Sequence, residues 1–388
     1  MATKGGLLQE WAQAAQNLLI RSEWGMGLIL FLGSWLLMFL LGGPMIHWLR
    51  QKRWKKDVVS DAEAWQVRED TPDTHQAKQG TPSMGGIGII SVACGLFGAF
   101  VLFLVILGIL AGNFTRPRGF WIEIFLTFLI PLIVGAHALL GFADDWSKAS
   151  GRGGLRARAK LLGQWILASF FVLVLSVLVT QKVGGPSTDF PSLEFGHSEL
   201  YLFSVAFLIL LMVGVSNAVN LTDGIDGLAA GLALQTGAFF WLTQPDFDSH
   251  IGVVSNLFWA ALAGSCLGFV AYNKYPAKVF MGDTGSLALG AAVGAGAIMT
   301  QSVFLLPFIA FIYFVEMFSV TLQVLYFKYT KRKYGEGRRI FRRAPLHHHF
   351  ELGGWSEWRV VGTFLAINLL TSAIGLILWQ LNILPRFP

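Results

Sequence analysis

Five aspartates and three consecutive histidines stand out in this sequence because most of what surrounds them is apolar. Asp144 and Asp145 are adjacent in GFADDWSK. Neighbouring carboxylates repel, so such a pair closing an apolar stretch calls for a cation or a proton, unless it is only a solvated helix end. Lys148 follows one helical turn on, and a basic run continues to Lys160. Acidic and basic groups together suit a metal with phosphates. A second cluster holds Asn217, Asn220, Asp223 and Asp226 in NAVNLTDGIDGLA. On a continuous helix, Asn220, Asp223 and Asp226 would share one face. Gly224 and Gly227 permit close approach of a ligand or of another backbone. A turn uses the same residue types for capping, but four such groups between two apolar helices exceed what a turn needs.

A third cluster runs from Asn273 to Phe280, Gly282 and Asp283. Asp283 is predicted near a helix N-terminus, where exposed amides favour anions such as phosphate; its ordinary role there would be an N-cap. The fourth is PLHHHF, with His347, His348 and His349. Consecutive side chains cannot all point one way, which disfavours a three-histidine metal site. One or two rings could instead donate to phosphate or sugar oxygens. A weaker fifth motif, KQGTPSMGG, contains Lys78 and Ser83 and suits an oxyanion, or equally any loop leading into a helix. Carboxylates without His or Cys at ligand spacing point to a hard cation. Mg2+ typically takes one or two carboxylates plus substrate phosphates. No GxxxxGK[ST] loop is present, so an ATPase is not indicated.

The elements that must position these groups are membrane helices. The 388 residues are 54% hydrophobic and 13% charged, with mean hydropathy +0.58, too apolar for an ordinary soluble domain. Apolar runs of about 20 residues recur, the length that crosses a bilayer core. Ten spans are predicted, near 26–48, 86–112, 119–142, 160–181, 199–219, 226–243, 253–272, 284–300, 303–327 and 359–384. Residues 1–25 read as an amphipathic interfacial segment, and 26–388 as one polytopic domain. Of the 29 Lys and Arg residues, 23 fall after spans 1, 3, 7 and 9. The positive-inside rule then places those segments in the cytoplasm and both termini outside. Net charge +6 is therefore a matter of topology, and nucleic acid is not an expected partner. Every polar cluster falls on the cytoplasmic side. Cys94 and Cys266 lie inside spans as small buried hydrophobes, and Gly290 and Gly294 suggest a close helix crossing.

At these motifs the sequence resembles the phospho-N-acetylmuramoyl-pentapeptide transferases of the polyprenyl-phosphate N-acetylhexosamine-1-phosphate transferase superfamily. The likeness runs from about residue 26 to the C-terminus. It rests on KQGTPSMGGI, GFADDWSK, NAVNLTDGIDGLA, the 273–290 segment, VEMFSV and RIFRRAPLHHHFELGGW, in that order. Ser83 stands where the family usually has Thr, and Thr284 where it commonly has Val. The resemblance implies an all-α integral membrane enzyme of the bacterial inner membrane. It would make lipid I and UMP from UDP-MurNAc-pentapeptide and undecaprenyl phosphate with Mg2+, as a homodimer among membrane lipids. It implies Asp283 as the main Mg2+ ligand, with Asp144 and Asp145 around the ion and the lipid phosphate. Asn217, Asn220, Asp223 and Asp226 resemble the family's polar cluster. Lys78, Ser83, Asn273, Phe280 and Gly282 match its nucleotide side, Lys148 and Lys160 its phosphate or nucleobase contacts, and His347, His348 and His349 its loop histidines. Asp144 is the best candidate for a base, although the acceptor phosphate is already largely ionised at neutral pH.

Two other readings compete. A sister enzyme would move GlcNAc-1-phosphate from UDP-GlcNAc to the same carrier, but PLHHHFE and the KxGTP stretch resemble the muramoyl branch. An ion-coupled transporter would need ionisable groups across the membrane. Only Glu316, Glu123 and His137 are candidates for that, while the carboxylates gather at one face. For Glu316, a role in the cytoplasmic cavity and a hydrogen-bonded packing role stay open.

Overall fold

The computed structural model describes residues 23–52, 80–110, 120–182, 198–243 and 250–384. They form α1 (Glu23–Gln51), α2 (Gly86–Leu110), α3 (Phe120–Ala149), α4 (Ala157–Lys182), α5 (Ser198–Thr222) and α6 (Leu228–Thr243). There follow α7 (His250–Asn273), α8 (Gly282–Met299), the short α9 (Leu306–Ile309), α10 (Phe311–Tyr334), the short α11 (Leu346–Glu351) and α12 (Glu357–Gln380). The ten long helices fall on the ten predicted spans. Among the described residues, seven of them (α1 to α5, α10 and α12) are long and apolar enough to cross a membrane. The interfacial segment predicted over 1–25 lies outside the described residues up to position 22, and so does the 183–197 loop.

The remaining long helices, α6, α7 and α8, are largely buried over their described side chains. In α8 every residue from Thr284 to Met299 is buried, and the helix packs on α2, α3, α5 and α6. Its sequence GDTGSLALGAAVGAGAIM contains no bulky residue before Leu287. Small residues let helix backbones approach, which is what packs helices where water offers no hydrophobic drive. A Cβ at Gly290 would meet the backbone of Ser216, and one at Gly294 would meet Met212. The Gly290/Gly294 step is thus a crossing with α5. At the end of α8 that carries the acidic motifs, Gly86 of α2 lies against the backbone of Gly285.

One predicted span is not a continuous helix. The stretch expected over 303–327 breaks between α9 and α10, and α10 runs on to Tyr334. Backbone groups freed inside a membrane must find partners. Asn368 of α12 supplies them: its Oδ1 accepts from Ile312 N–H at 3.3 Å and its Nδ2 donates to Ile309 O at 3.2 Å. Gln235 of α6 holds the same amide, accepting from Asn368 Nδ2 at 3.1 Å.

Candidate active site

The ends of α3, α5 and α7 and the starts of α4 and α8 meet at one end of the bundle. Asp144 and Lys148 share a face of α3 one turn apart, and Lys160 lies in the first turn of α4. Asp283, in the first turn of α8, is where they converge. Its Oδ2 accepts from Lys160 Nζ at 2.7 Å and from Lys148 Nζ at 2.9 Å. Its Oδ1 accepts from Asn220 Nδ2 at 2.7 Å. Lys148 Nζ is also 2.9 Å from Asp144 Oδ2, and Lys160 Nζ is 3.7 Å from the same atom. The N-cap alternative to a functional Asp283 does not hold, since its carboxylate makes no capping bond to its own helix and faces two ammonium groups.

The capping role falls to Asp145. Its Oδ1 accepts from Asp283 N–H at 3.1 Å, and its Oδ2 accepts from Thr284 N–H at 2.9 Å and Thr284 Oγ1 at 2.7 Å. Adjacent residues on a helix point about 100° apart, so the Asp pair divides its work. Asp144 enters the charged centre and Asp145 secures the helix that brings Asp283 there. Thr284, the departure noted from the family pattern, supplies the third of these bonds. Asp145 is nearly buried, so Asp145→Ala should cost on the order of 2 kcal/mol of stability, combining a lost cap with lost charge-assisted bonds. Asp145→Asn keeps one acceptor oxygen and should fall between. Thermal unfolding in detergent micelles checks this, and an Ala variant melting with the parent protein would sink the role.

Asn220 also donates to Ser286 Oγ at 2.8 Å, tying α5 to α8. One turn deeper, Asn217 Nδ2 donates to Gln164 Oε1 at 2.9 Å, and Gln164 reaches back to Asn217 Oδ1 at 3.4 Å. Gln164 was not predicted. Its signal was present, because it follows Lys160 by four residues and so shares its helix face. The helix expected to carry Asn220, Asp223 and Asp226 together ends at Thr222. Asp223 and Asp226 sit in the turn that follows, which closes at Gly227 with φ +83°, a value open to glycine and costly to other residues.

That turn is joined to the third motif. Asp226 Oδ2 accepts from Ala277 N–H at 2.9 Å, and Asn273 Oδ1 accepts from Gly227 N–H at 3.1 Å. Asn273 Nδ2 donates to Val279 O at 2.9 Å. Both side chains are buried and brace loops beside the charged centre. The Ser83 segment lies along the Phe280 segment, with Phe280 N–H donating to Pro82 O and Gly85 N–H donating to Phe280 O. Gly282, with φ +75°, leaves room for Ser83 Oγ and Asp145 Oδ2. Lys78 lies outside the described residues.

The histidines form half of α11 and behave differently from one another, as their succession predicts. His347 is fully buried, its ring against Gly224 of the α5–α6 turn. His348 Nδ1 is 2.7 Å from Glu351 Oε2. His349 Nδ1 accepts from Arg342 N–H at 3.1 Å. Glu316, left open by sequence, is a fully buried carboxylate accepting from His347 N–H at 3.1 Å. It ties α11 to α10.

Two carboxylate oxygens, from Asp144 and Asp283, lie 2.9 Å from the single ammonium of Lys148. A point where hard oxygens gather around a positive charge fits Mg2+. Among the described residues no three His, Cys, Asp or Glu side chains form a metal-binding group.

A family model described as glycosyl transferase family 4 matches residues 125–301, the stretch that carries Asp144 through Asp283. A phospho-N-acetylmuramoyl-pentapeptide-transferase of Geobacillus sp. (strain WCH70) is 39% identical over 350 residues, covering 88% of this chain and 94% of the relative. A protein of the same name from Halalkalibacterium halodurans is 40% identical over 318 residues, covering 80% and 87%. One from Desulforamulus reducens is 41% identical over 315 residues, covering 80% and 86%.

Proposed function

The chain belongs to the phospho-N-acetylmuramoyl-pentapeptide transferases, and on that premise we propose that it makes lipid I at the cytoplasmic face of the bacterial inner membrane. The substrates are UDP-MurNAc-pentapeptide and undecaprenyl phosphate, and the second product is UMP. The observation that carries the reading is the convergence of Asp144, Asp283, Lys148 and Lys160 at the basic end of a membrane bundle. Such a place admits a water-soluble donor from one side and a lipid acceptor from the other.

A lipid phosphate oxygen attacks the MurNAc-linked phosphorus in line. A new P–O bond forms as the bond to the UMP oxygen breaks, and the electron pair leaves with UMP. Asp283 and Asp144 would hold Mg2+, which would supply Lewis-acid stabilisation of charge on the phosphoryl oxygens. Lys160 and Lys148 add fixed positive charge to the same oxygens. The acceptor is already largely ionised at neutral pH, so Asp144 positions the acceptor and the ion without having to remove a proton. Asp145 acts through α8, and Asn220 holds the angle of the Asp283 carboxylate. Phe280, Gly282 and Ser83 form the nucleotide side, with Asn273 and Asp226 bracing it, and the family resemblance alone assigns Lys78 to the same substrate.

Purified protein should release UMP from UDP-MurNAc-pentapeptide in the presence of Mg2+ and undecaprenyl phosphate, with far slower release from UDP-GlcNAc. Equal or reversed rates with the two donors would transfer the protein to the sister reaction.

A further inference from the structure

Asp144 stands near the end of α3 but is only 3% exposed. The connection from α3 to α4, residues 150–156, helps to cover it by turning back over the helix it leaves. Arg152 N–H donates to Ser147 O at 2.9 Å, and Gly151 N–H donates to Lys148 O at 3.0 Å. The turn holds Gly151, Gly153 and Gly154 at φ +72°, +77° and +84°, a region that other residues enter at a cost. Gly151 and Gly153 face open space. Gly154 does not: a Cβ there would stand 3.1 Å from Asp144 Oδ1 and 3.2 Å from Lys148 Cγ and Cε. The main chain therefore lies directly on the charged centre at this residue.

The next amide makes use of that approach. Leu155 N–H donates to Asp144 Oδ1 at 2.6 Å. The other oxygen, Oδ2, faces Lys148 Nζ at 2.9 Å and Lys160 Nζ at 3.7 Å. Asp283 is divided in the same way, its Oδ1 accepting from Asn220 and its Oδ2 from the same two lysines. Each carboxylate thus has one oxygen secured by an amide and one turned to the ammonium groups. A carboxylate otherwise rotates over a broad range about its last side-chain bond. A hydrogen bond from a donor fixed in the main chain stops that rotation, and bonds to an ionised acceptor are about twice as strong as neutral ones.

We propose that the backbone amide of Leu155, placed by the left-handed Gly154, is a positioning group for the transfer reaction. It pins Asp144 Oδ1, so that Oδ2 alone faces the lysines and the reacting phosphates. The inference rests on the transfer reaction proposed above. It assigns a part in that reaction to a main-chain group that no side-chain motif marks.

Two measurements on the full-length protein test it. The α-hydroxy analogue of leucine at position 155 keeps the side chain and replaces the N–H by an oxygen. In initial-rate UMP release, this ester should lower kcat by about 10- to 100-fold, the scale of a small misplacement at a reacting centre. KM for UDP-MurNAc-pentapeptide should stay near the parent value. Gly154→Ala should lower kcat by about 10-fold, because its methyl group displaces Asp144 or Lys148. Gly153→Ala bears the same left-handed backbone cost in open space and should keep the parent's kcat. An unchanged kcat in the ester, a loss confined to KM, or equal losses in the two glycine variants overturns the proposal. Independently of substrate, hydrogen–deuterium exchange resolved to single residues should show the Leu155 amide protected in the parent. It should exchange at least about 10-fold faster in Asp144→Ala, with amides in the middle of α4 unchanged. Equal exchange at Leu155 in the two proteins overturns the pairing even if the parent releases no UMP, a result that by itself overturns only the transfer reaction. If Asp144→Ala loosens α4 as well, the ester and the two glycine variants decide.

Discussion

Asp283→Asn should abolish Mg2+-dependent UMP release, by at least about 10³-fold, while the protein stays folded. The Asp283 carboxylate accepts from Lys160, Lys148 and Asn220 at 2.7–2.9 Å. An amide in its place offers one acceptor oxygen, and whichever way it turns, its NH2 group faces a donor. The charge that draws two ammonium groups to one point, and that would draw a divalent ion there, is then halved, with Asp144 left alone. The shape of the side chain is kept, and Asp145 still secures the start of α8 through backbone amides, so packing should survive. Release of UMP over a Mg2+ titration, with thermal unfolding in micelles as the folding control, measures both halves. Full activity at ordinary Mg2+ would remove Asp283 from the centre of the site.

Gly141→Val should be nearly as damaging, although residue 141 carries no functional group. It lies on α3 one turn before Asp144, at the place where α3 and α8 touch backbone to backbone. A Cβ there would collide with the carbonyl group of Asp283 and stand 2.6 Å from Thr284 N. Backbone cannot swing aside as a side chain can, so the two helices must separate. Overpacking of this kind costs about 1–3 kcal/mol, and a displacement of about 1 Å at a reacting centre can cost on the order of 10²-fold in rate. The control is Gly135→Ala on the same helix, where an added Cβ meets nothing within 4 Å and activity should be retained. A Gly141→Val protein matching the parent in both melting and UMP release would show that α8 tolerates the shift.

These two positions divide what could be read in advance from what could not. Asp283 was legible because a carboxylate between apolar helices demands a reason, and because it joins two other acidic clusters predicted on the same side of the membrane. Gly141 was not, since glycines are common in membrane helices and only the facing backbone shows which of them are in contact. Lys160 and Gln164 stand between these cases. Their spacing by four residues placed them on one face of α4, but which helix that face meets is a matter of three-dimensional packing.

By itself, the sequence determined the membrane class, the positions of ten long helices, the charge asymmetry and the motifs that mark the family. Those depend on composition, period and order, which are local along the chain. Only the tertiary structure decided how the adjacent aspartates divide, with Asp144 among the lysines and Asp145 capping α8. It alone decided that Asp223 and Asp226 leave the helix at Thr222, that Asn368 bridges the break before α10, and that His347 is buried while His348 pairs with Glu351. Each of those outcomes depends on which donors and acceptors a neighbouring helix brings within about 3 Å, the reach of a hydrogen bond, and groups such as Asp145 and Thr284, 139 positions apart, meet only when the bundle closes.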